Sequence, residues 1–307
     1  MTTAAKSTHD GNWYVLVAAL VPPAQPLTLA PGLAIRRLPC RINLLDLAEA
    51  GKVGFTAWAA LQPFSQYLFA EIESAKDADI SPGYDTLNRA WLVTSLLVLR
   101  GFTPLRNIAC SGYSWANIAG SNKRLSASKS LTDRPQLPPF TGSLLDFHLQ
   151  SIIDLKPRVE EVTPEDAAWI QQHFDSFNRL ASESEKFRFA LEAAVDWRFA
   201  KEPRSAVARI WSGIEALCDI NTELVYRLSL ISASLLAPRG PERKAKFDAV
   251  KKLYGFRSKV VHGEQLEQDK IFEVVSDSFH LLKDLLMVSI NKGRTLTKDD
   301  FDDAIFC

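Results

Sequence analysis

The sequence lacks the features that would assign it to a membrane-spanning, disulfide-stabilised or zinc-binding class. Its longest apolar stretches, 13–21 and 91–99, are too short to span a bilayer. The first ends in a proline-rich segment and predicts a buried strand, with a secretory signal as the alternative. Its four cysteines lie far apart and none forms a C-x-x-C pair, so neither a disulfide framework nor a zinc site is predicted.

The sequence also lacks net charge and the common nucleotide motifs. Lysine plus arginine and aspartate plus glutamate each number 36, so no overall field draws the chain to nucleic acid or an anionic membrane. No Walker A motif, Rossmann glycine fingerprint or metal-ligand cluster is present. The segment GYSWA at 112–116 approximates a nucleophile elbow but lacks its last glycine and its catalytic partners. We expect a cytoplasmic protein with no metal, no cofactor and no membrane partner.

The pattern of apolar residues changes part-way along the chain. Residues 1–132 mix strand and helix signals and predict an α/β region of unknown role. Strands are predicted at 12–21 and 107–120, a short helix at 42–51, a helical C-terminal end of segment 57–75 and a buried helix at 86–101. Residues 133–162 begin with a proline-rich stretch and are predicted to be a linker.

Residues 163–307 are predicted to form an all-α domain, which makes the whole chain α+β. The run Thr163-Pro164-Glu165-Asp166 is typical of a helix start, with a capping threonine, proline at the first position and acids near the positive dipole end. Apolar residues at helical spacing predict an antiparallel bundle with short loops. Its further helices are expected at 184–200, 205–219, 222–237, 241–254 and 268–291.

The segment YGFRSKVVHGEQL, residues 254–266, holds the residues most suited to chemistry. Histidine transfers protons near neutral pH, and the guanidinium of arginine suits phosphate oxygens. Arg257 and His262 therefore form a minimal set of groups for metal-independent RNA cleavage, in which a 2′-hydroxyl attacks the adjacent phosphorus. Ser258, one turn before His262, is a candidate to hydrogen-bond the imidazole or the phosphate.

The spacing of this pair raises a geometric problem. On a regular helix, residues five apart diverge by about 140°. Two arrangements would solve it: Gly255 and Gly263 allow a departure from the helix, or a two-fold dimer brings two copies of the segment together. In the dimer, one His262 acts as the base and the other as the acid.

The surroundings of the segment are basic. Residues 239–259 hold eight basic and two acidic residues, and residues 264–307 hold ten acidic and five basic ones. A patch of this kind binds phosphates in a salt-dependent way, which makes Lys251, Lys252, Tyr254 and Lys259 candidates for RNA contact. A simple solvated helix face is the alternative.

A structural role for the pair is an alternative too. Arg257 would then pair with Glu215 or Glu223 on the preceding helices, and His262 would cap a helix end beside Gly263. A lone arginine and histidine at this spacing is a pattern that chance often produces.

Three segments together resemble the HEPN superfamily, in particular its Apea-like branch. They are ARIWSGIEALCD at 208–219 with Glu215, TELVYRLSLISASLLAP at 222–238 with Glu223 and Arg227, and the R-S-x-x-V-H-G run beginning at Arg257. Their order and spacing also match, and the resemblance covers about 185–291. Residues 1–160 resemble only the poorly described N-terminal regions found on such proteins.

This resemblance implies a dimerising helical bundle with the arginine–histidine motifs of both chains at the interface. Active members are metal-independent endoribonucleases, many of them toxins or anti-phage effectors. The resemblance implies that Arg257 stabilises the phosphate, that His262 is the acid and base, and that Glu215, Glu223 and Arg227 support the site. Ser258 stands where many active members have Asn, Asp or His. A non-catalytic module that binds RNA or nucleotides is the alternative, and an unknown trigger would act through the N-terminal region.

Overall fold

The structure is a computed structural model that describes residues 12–42, 46, 69–75, 84–103, 105–112, 114–117, 119–120, 143–144, 161–220, 223–264 and 267–306. The predicted α+β class is confirmed, with an antiparallel sheet before residue 150 and helices after residue 160. The predicted helix at 42–51 and most of the predicted linker at 133–162 lie outside the described residues.

The N-terminal unit is built on one antiparallel sheet, whose strands are Trp13–Ala18 (β1), Leu27–Ala30 (β2), Leu33–Arg37 (β3), Ala70–Ser74 (β4), Arg106–Ser111 (β5) and Ser143–Leu144 (β6). The strand order is β2-β3-β4-β1-β5-β6. The predicted strand at 12–21 is β1, which pairs with β4 on one side and β5 on the other. Its residues 15–18 are buried, as expected for a strand in the middle of a sheet. Helix α1, Tyr84–Leu99, is the predicted buried helix.

The helix prediction for the end of segment 57–75 is wrong, because β4 occupies residues 70–74. Its Ala and Glu residues have good helix propensity. The pairing of Ile72 with Val15 on one side and Ile35 on the other outweighs that local preference. The predicted strand at 107–120 ends early, at Ser111, and a short 3₁₀ turn follows at Trp115–Asn117.

A buried carboxylate holds this turn against the sheet. The Glu71 side chain has no exposed area, and Arg36 donates to it from the neighbouring strand at 2.8 Å. The Ser114 hydroxyl donates to the same oxygen at 3.0 Å, and the Trp115 N–H donates to the other. Burial raises the pKa of Glu71 above its usual range, although Arg36 favours the charged form. The serine of GYSWA thus anchors a loop.

The C-terminal unit is a bundle of helices. Gly213, on the helix Pro203–Cys218, lies where a Cβ would stand 2.7 Å from the Cβ of Ala193, so the glycine permits close packing on the helix Glu185–Asp196. Trp211, Ile214 and Leu282 are fully buried between this glycine-bearing helix and its neighbours. The helices after residue 160 are Pro164–Glu183 (α2), Glu185–Asp196 (α3), Pro203–Cys218 (α4), Leu224–Leu236 (α5), Pro241–Val261 (α6), Gln268–Lys292 (α7) and Lys298–Phe306 (α8).

The division between the two units falls inside α2. Described residues up to 172 belong to the N-terminal unit, and those from 173 onward to the C-terminal one. The helix start at Thr163 lies where the sequence predicts it, since the Thr163 N–H and hydroxyl both donate to Asp166. In the part of the chain that the structure describes, none of the helices is both long and apolar enough to cross a membrane.

Helix α8 has no counterpart among the predicted helices, and its first turn repeats the threonine–aspartate cap of α2. The Thr297 N–H donates to Asp300 at 2.9 Å, and Arg294 and Lys292 donate to the same carboxylate at 2.6 and 2.9 Å. Only 3% of the Asp300 side chain is exposed. The hydrogen bonds from Arg294, Lys292 and Thr297 hold the pKa of Asp300 well below its usual range.

Replacing Asp300 with asparagine should destabilise the protein and flatten its acid sensitivity. Because the folded protein binds this proton more weakly than the unfolded chain, the carboxylate stabilises the fold above its ordinary pKa of about 4 and loses that effect as the pH falls further. We expect Asp300→Asn to lower the thermal midpoint at neutral pH by about 2–4 °C. Thermal unfolding followed by circular dichroism between about pH 3 and pH 7 measures both effects.

The matched control is Asp303→Asn, which removes an exposed acid from the same helix. It should leave the midpoint and its pH dependence close to those of the unmodified protein. If Asp300→Asn and Asp303→Asn have the same thermal midpoint and the same pH dependence, the proposed stabilisation by Asp300 is wrong.

Candidate functional site

The motif segment lies on one long helix. Helix α6 runs from Pro241 to Val261 without a break, so it continues past the predicted end at 254 and through Gly255. A Cβ at Gly255 would meet no atom within 4 Å. The first solution to the spacing problem, a departure from the helix at Gly255, is therefore not what the structure shows.

The inner face of α6 is anchored on α4 by an aromatic pair. The Tyr254 ring meets the Trp211 ring edge to face, with centroids 5.1 Å apart. The Trp211 indole N–H is satisfied by Ser278 on α7 at 2.9 Å. Tyr254 is 8% exposed, so the ring packs in the bundle and offers no open face to an RNA base, contrary to its predicted RNA contact.

Arg257 belongs to the same inner face. Its Nη2 donates to Glu215 Oε1 at 3.1 Å, and its guanidinium carbon lies 5.2 Å from the Tyr254 ring centroid. The Arg257 and Glu215 side chains are 21% and 25% exposed. The Arg257 Nε is buried without a hydrogen-bond partner among the described residues. The structure thus contains the Arg257–Glu215 pair that the sequence analysis named as an alternative.

His262 lies at the C-terminal end of α6, where the helix is closed by a Schellman motif. The Glu264 N–H donates to the Lys259 carbonyl and the Gly263 N–H to the Val260 carbonyl. Gly263 has a φ of 89°, which a residue with a side chain rarely adopts. His262 is therefore held by its backbone while its imidazole is exposed and makes no hydrogen bond to a described residue.

Two residues lie near His262, Ser258 within the same helix and Arg204 from another helix. The Ser258 carbonyl accepts the His262 N–H at 3.0 Å, and no described hydrogen bond joins the Ser258 hydroxyl to the imidazole. Arg204, in the first turn of α4, places Nη2 3.5 Å from the Gly263 carbonyl. Because Arg204 is 58 positions before His262 in the chain, no local motif could associate the two.

The outer face of α6 carries the predicted lysines. Lys251, Lys252 and Lys259 are all exposed. The Lys252 ammonium lies 6.0 Å from the Phe256 ring centroid, and the Lys259 ammonium lies 4.0 Å from a Glu264 oxygen. Residues at this spacing share one helix face with His262. The face is therefore basic and ends at an exposed imidazole.

The predicted support from Glu223 and Arg227 takes a different form. These two residues pair with each other at 3.3 Å at the start of α5, and their side chains are 71% and 54% exposed. Neither contacts Arg257. Of the three predicted supporting residues, the structure brings only Glu215 to the motif.

Within one chain, Arg257 and His262 lie on different sides of α6. Arg257 faces α4 and His262 faces solvent, as the helical angle of about 140° requires. Among the described residues, no group of three or more His, Cys, Asp or Glu side chains is arranged to hold a metal ion. The site is thus a basic helix face with an exposed imidazole at its end and an arginine held beneath it.

Comparison with known proteins adds no relative to this description. No family model matches the chain. Neither the curated proteins nor the solved structures give a significant match. The interpretation of the site therefore depends on its own residues and geometry.

The Arg257–Glu215 pair should stabilise the bundle measurably. A double-mutant cycle with Arg257→Ala and Glu215→Ala should give a coupling energy of about 1 kcal/mol, because both groups are mostly shielded from water. Urea unfolding followed by tryptophan fluorescence measures each free energy of unfolding.

The exposed pair Arg227–Glu223 is the matched control, and its coupling should stay below about 0.5 kcal/mol. A coupling for Arg257 and Glu215 that is no larger than this would show that their contact does not hold α6 in place.

Proposed function

We propose that the C-terminal unit is a metal-independent endoribonuclease of HEPN type that acts as a dimer. The observation that carries this proposal is the exposed imidazole of His262 at the end of a basic helix face. An imidazole in this setting has access to a substrate and can exchange a proton with it. The resemblance of the three segments around Glu215, Arg227 and Arg257 supports the same reading and suggests a toxin or anti-phage effector.

The reaction requires two proton transfers and one cation. One His262 accepts the proton of the 2′-hydroxyl as its oxygen bonds to phosphorus. The second His262, from the other protomer, donates a proton to the departing 5′-oxygen as the phosphorus–oxygen bond breaks. The products are a 2′,3′-cyclic phosphate and a free 5′-hydroxyl, so all atoms and charges balance.

Arg257 and Arg204 are the candidate cations for the charge that develops on the phosphate. Arg257 uses Nη2 for Glu215, whereas its Nη1 donates to no described residue. Arg204 lies beside the C-terminal end of α6, next to His262. Since an arginine keeps its charge throughout, either one can stabilise the pentacoordinate phosphate without a proton transfer.

The ribonuclease proposal predicts cleavage that depends on His262 and survives EDTA. We expect His262→Ala and Arg257→Ala each to reduce the rate by about 100-fold or more. Gel analysis of a single-stranded RNA, with detection of the 2′,3′-cyclic phosphate end, measures the product. Expression in a bacterial host, scored for growth and RNA integrity, tests the same variants in a cell. The specific activity should rise with protein concentration until the dimer is fully formed.

The matched control is His280→Ala, which removes another exposed histidine of the same unit. It should cleave RNA at the unmodified rate. Equal rates for His262→Ala and the unmodified protein, with both folded, would rule out His262 as the reacting group.

A second function, a non-catalytic RNA-binding dimerisation module, is favoured by the Arg257–Glu215 ion pair. The pair holds the arginine in the bundle, where it stabilises the fold and does not act on a phosphate. In this case RNA binds to the lysines of α6 and is not cut. His262→Ala then leaves the affinity unchanged.

Both functions predict a salt-dependent affinity for RNA that depends on the outer lysines. Each lysine that contacts a phosphate of a single strand contributes about 0.7 to the slope of log affinity against log salt. Replacing Lys251, Lys252 and Lys259 with alanine should reduce that slope by about 2. Fluorescence anisotropy with a 2′-O-methyl RNA, which cannot be cleaved, gives the slope.

Lys186→Ala, which removes an exposed lysine of α3, is the control and should leave the slope unchanged. An unchanged slope in the triple variant would exclude the outer face of α6 as the phosphate-binding surface.

A further inference from the structure

A groove lies between helices α5 and α6, away from the end of α6 that carries His262. Its volume is about 390 Å³, and it is largely open to solvent on one side. All of its lining belongs to the C-terminal unit. The lining residues are Tyr226, Leu230, Ala233, Gly240, Arg243, Lys244 and Phe247.

Two aromatic rings form one wall of this groove. The Tyr226 and Phe247 centroids are 5.7 Å apart, with an interplanar angle of 71°. Tyr226 is 58% exposed, so most of its side chain gains no stabilisation from burial in the bundle. The exposed Tyr226 ring thus offers a flat surface on which a planar group can stack.

Cationic groups lie beside these rings. The Lys244 ammonium is 5.4 Å from the Phe247 centroid and pairs with Asp248 at 2.6 Å. Arg243 donates to the carbonyls of Ala237 and Ala304. Because carbonyls carry no net charge, the positive charge of Arg243 remains uncompensated by these contacts.

We infer that this groove binds a base of single-stranded RNA by stacking on Tyr226, with the adjoining phosphates near Arg243 and Lys244. Aromatic surfaces interleaved with cations are the arrangement by which proteins bind single strands. The inference rests on the proposed RNA-directed function and assigns a second contact to the same substrate.

The position of the groove fits one continuous strand. Phe247 and His262 are 15 residues apart on the same helix, which corresponds to about 22 Å along its axis. The exposed Lys251 lies between them on the outer face. A strand whose base stacks on Tyr226 can therefore follow these cations toward His262.

The charge of the groove disfavours a second copy of the chain as its occupant. In a two-fold contact with its axis at this surface, Arg243, which pairs only with carbonyls here, would lie near its own copy, and like charges at close range repel. An RNA strand supplies the negative charge and the planar bases that the groove complements.

The test compares Tyr226→Ala with Tyr226→Phe in the full-length chain. The probe is a fluorescein-labelled 2′-O-methyl oligouridylate, and the measurement is fluorescence anisotropy. Tyr226→Ala should weaken binding about tenfold, whereas Tyr226→Phe keeps the stacking surface and should bind as the unmodified protein does. Because Tyr226 is mostly exposed, the alanine variant should keep its fold, which the thermal midpoint verifies.

Phe189→Ala is the matched control. Phe189 is 49% exposed in the groove between α3 and α4, whose charged lining residues are Glu192, Asp196 and Arg209, with Arg209 paired to Asp196 at 3.7 Å. This variant should bind the probe with unchanged affinity. An equal loss of affinity in Phe189→Ala and Tyr226→Ala would overturn the assignment of the base to Tyr226.

Two further probes identify the ligand. An abasic oligonucleotide, which keeps the phosphates but has no bases, should bind Tyr226→Ala and the unmodified protein equally. Uridine monophosphate should bind far more weakly than the oligouridylate. Equal affinity for the mononucleotide and the strand would overturn the RNA inference in favour of a nucleotide site.

The failure of the inference is distinguishable from the failure of the proposed function. If the unmodified protein binds the oligouridylate, and Tyr226→Ala binds it equally well, only the groove is wrongly assigned. If the unmodified protein neither binds nor cleaves RNA, both proposals are wrong.

Discussion

The contact of Tyr254 with Trp211 fixes the rotation of α6 about its own axis, and the character of the site depends on that rotation. Each residue of a helix turns the next by about 100°, so one anchored side chain determines where the others point. With Tyr254 buried on α4, Arg257 faces the bundle and meets Glu215. Lys251 and His262 then face solvent. The interior packing of one tyrosine thus exposes the residues that can meet a polyanion.

The same rotation separates the two residues of the motif and gives the Arg257–Glu215 pair two possible meanings. As a permanent contact it would be structural, because removing one partner leaves the other charge poorly solvated. As an exchangeable contact it would hold the guanidinium ready, since a phosphate can replace the Glu215 carboxylate as one anion for another. The partial exposure of both groups is compatible with such an exchange. In the ribonuclease proposal, the His262 that reaches the same phosphate belongs to a second protomer.

Local patterns predicted most of the bundle, and tertiary contacts decided the rest. Apolar spacing predicted the helices of 163–291, and the cap at Thr163 was predicted from its residue types. The end of α6 was predicted too early, at residue 254, whereas the helix continues through Gly255 and the glycine that follows its end is Gly263 with its positive φ. Strand β4 was missed because pairing on both edges outweighs helix propensity. Contacts such as Arg204 with Gly263 join distant segments, so no local spacing reveals them.

The neutrality of the whole chain conceals the charge that RNA would meet. Acids of the C-terminal segment are engaged by bases of the same unit, since Asp300 binds Lys292 and Arg294, and Asp284 lies 3.8 Å from Lys246. Lys251 and Lys252 have no ion-pair partner among the described residues. Because salt screens charges beyond about 8 Å at physiological ionic strength, only the local balance acts on a bound strand. A chain of zero net charge can therefore present a basic surface at the helix that carries its candidate site.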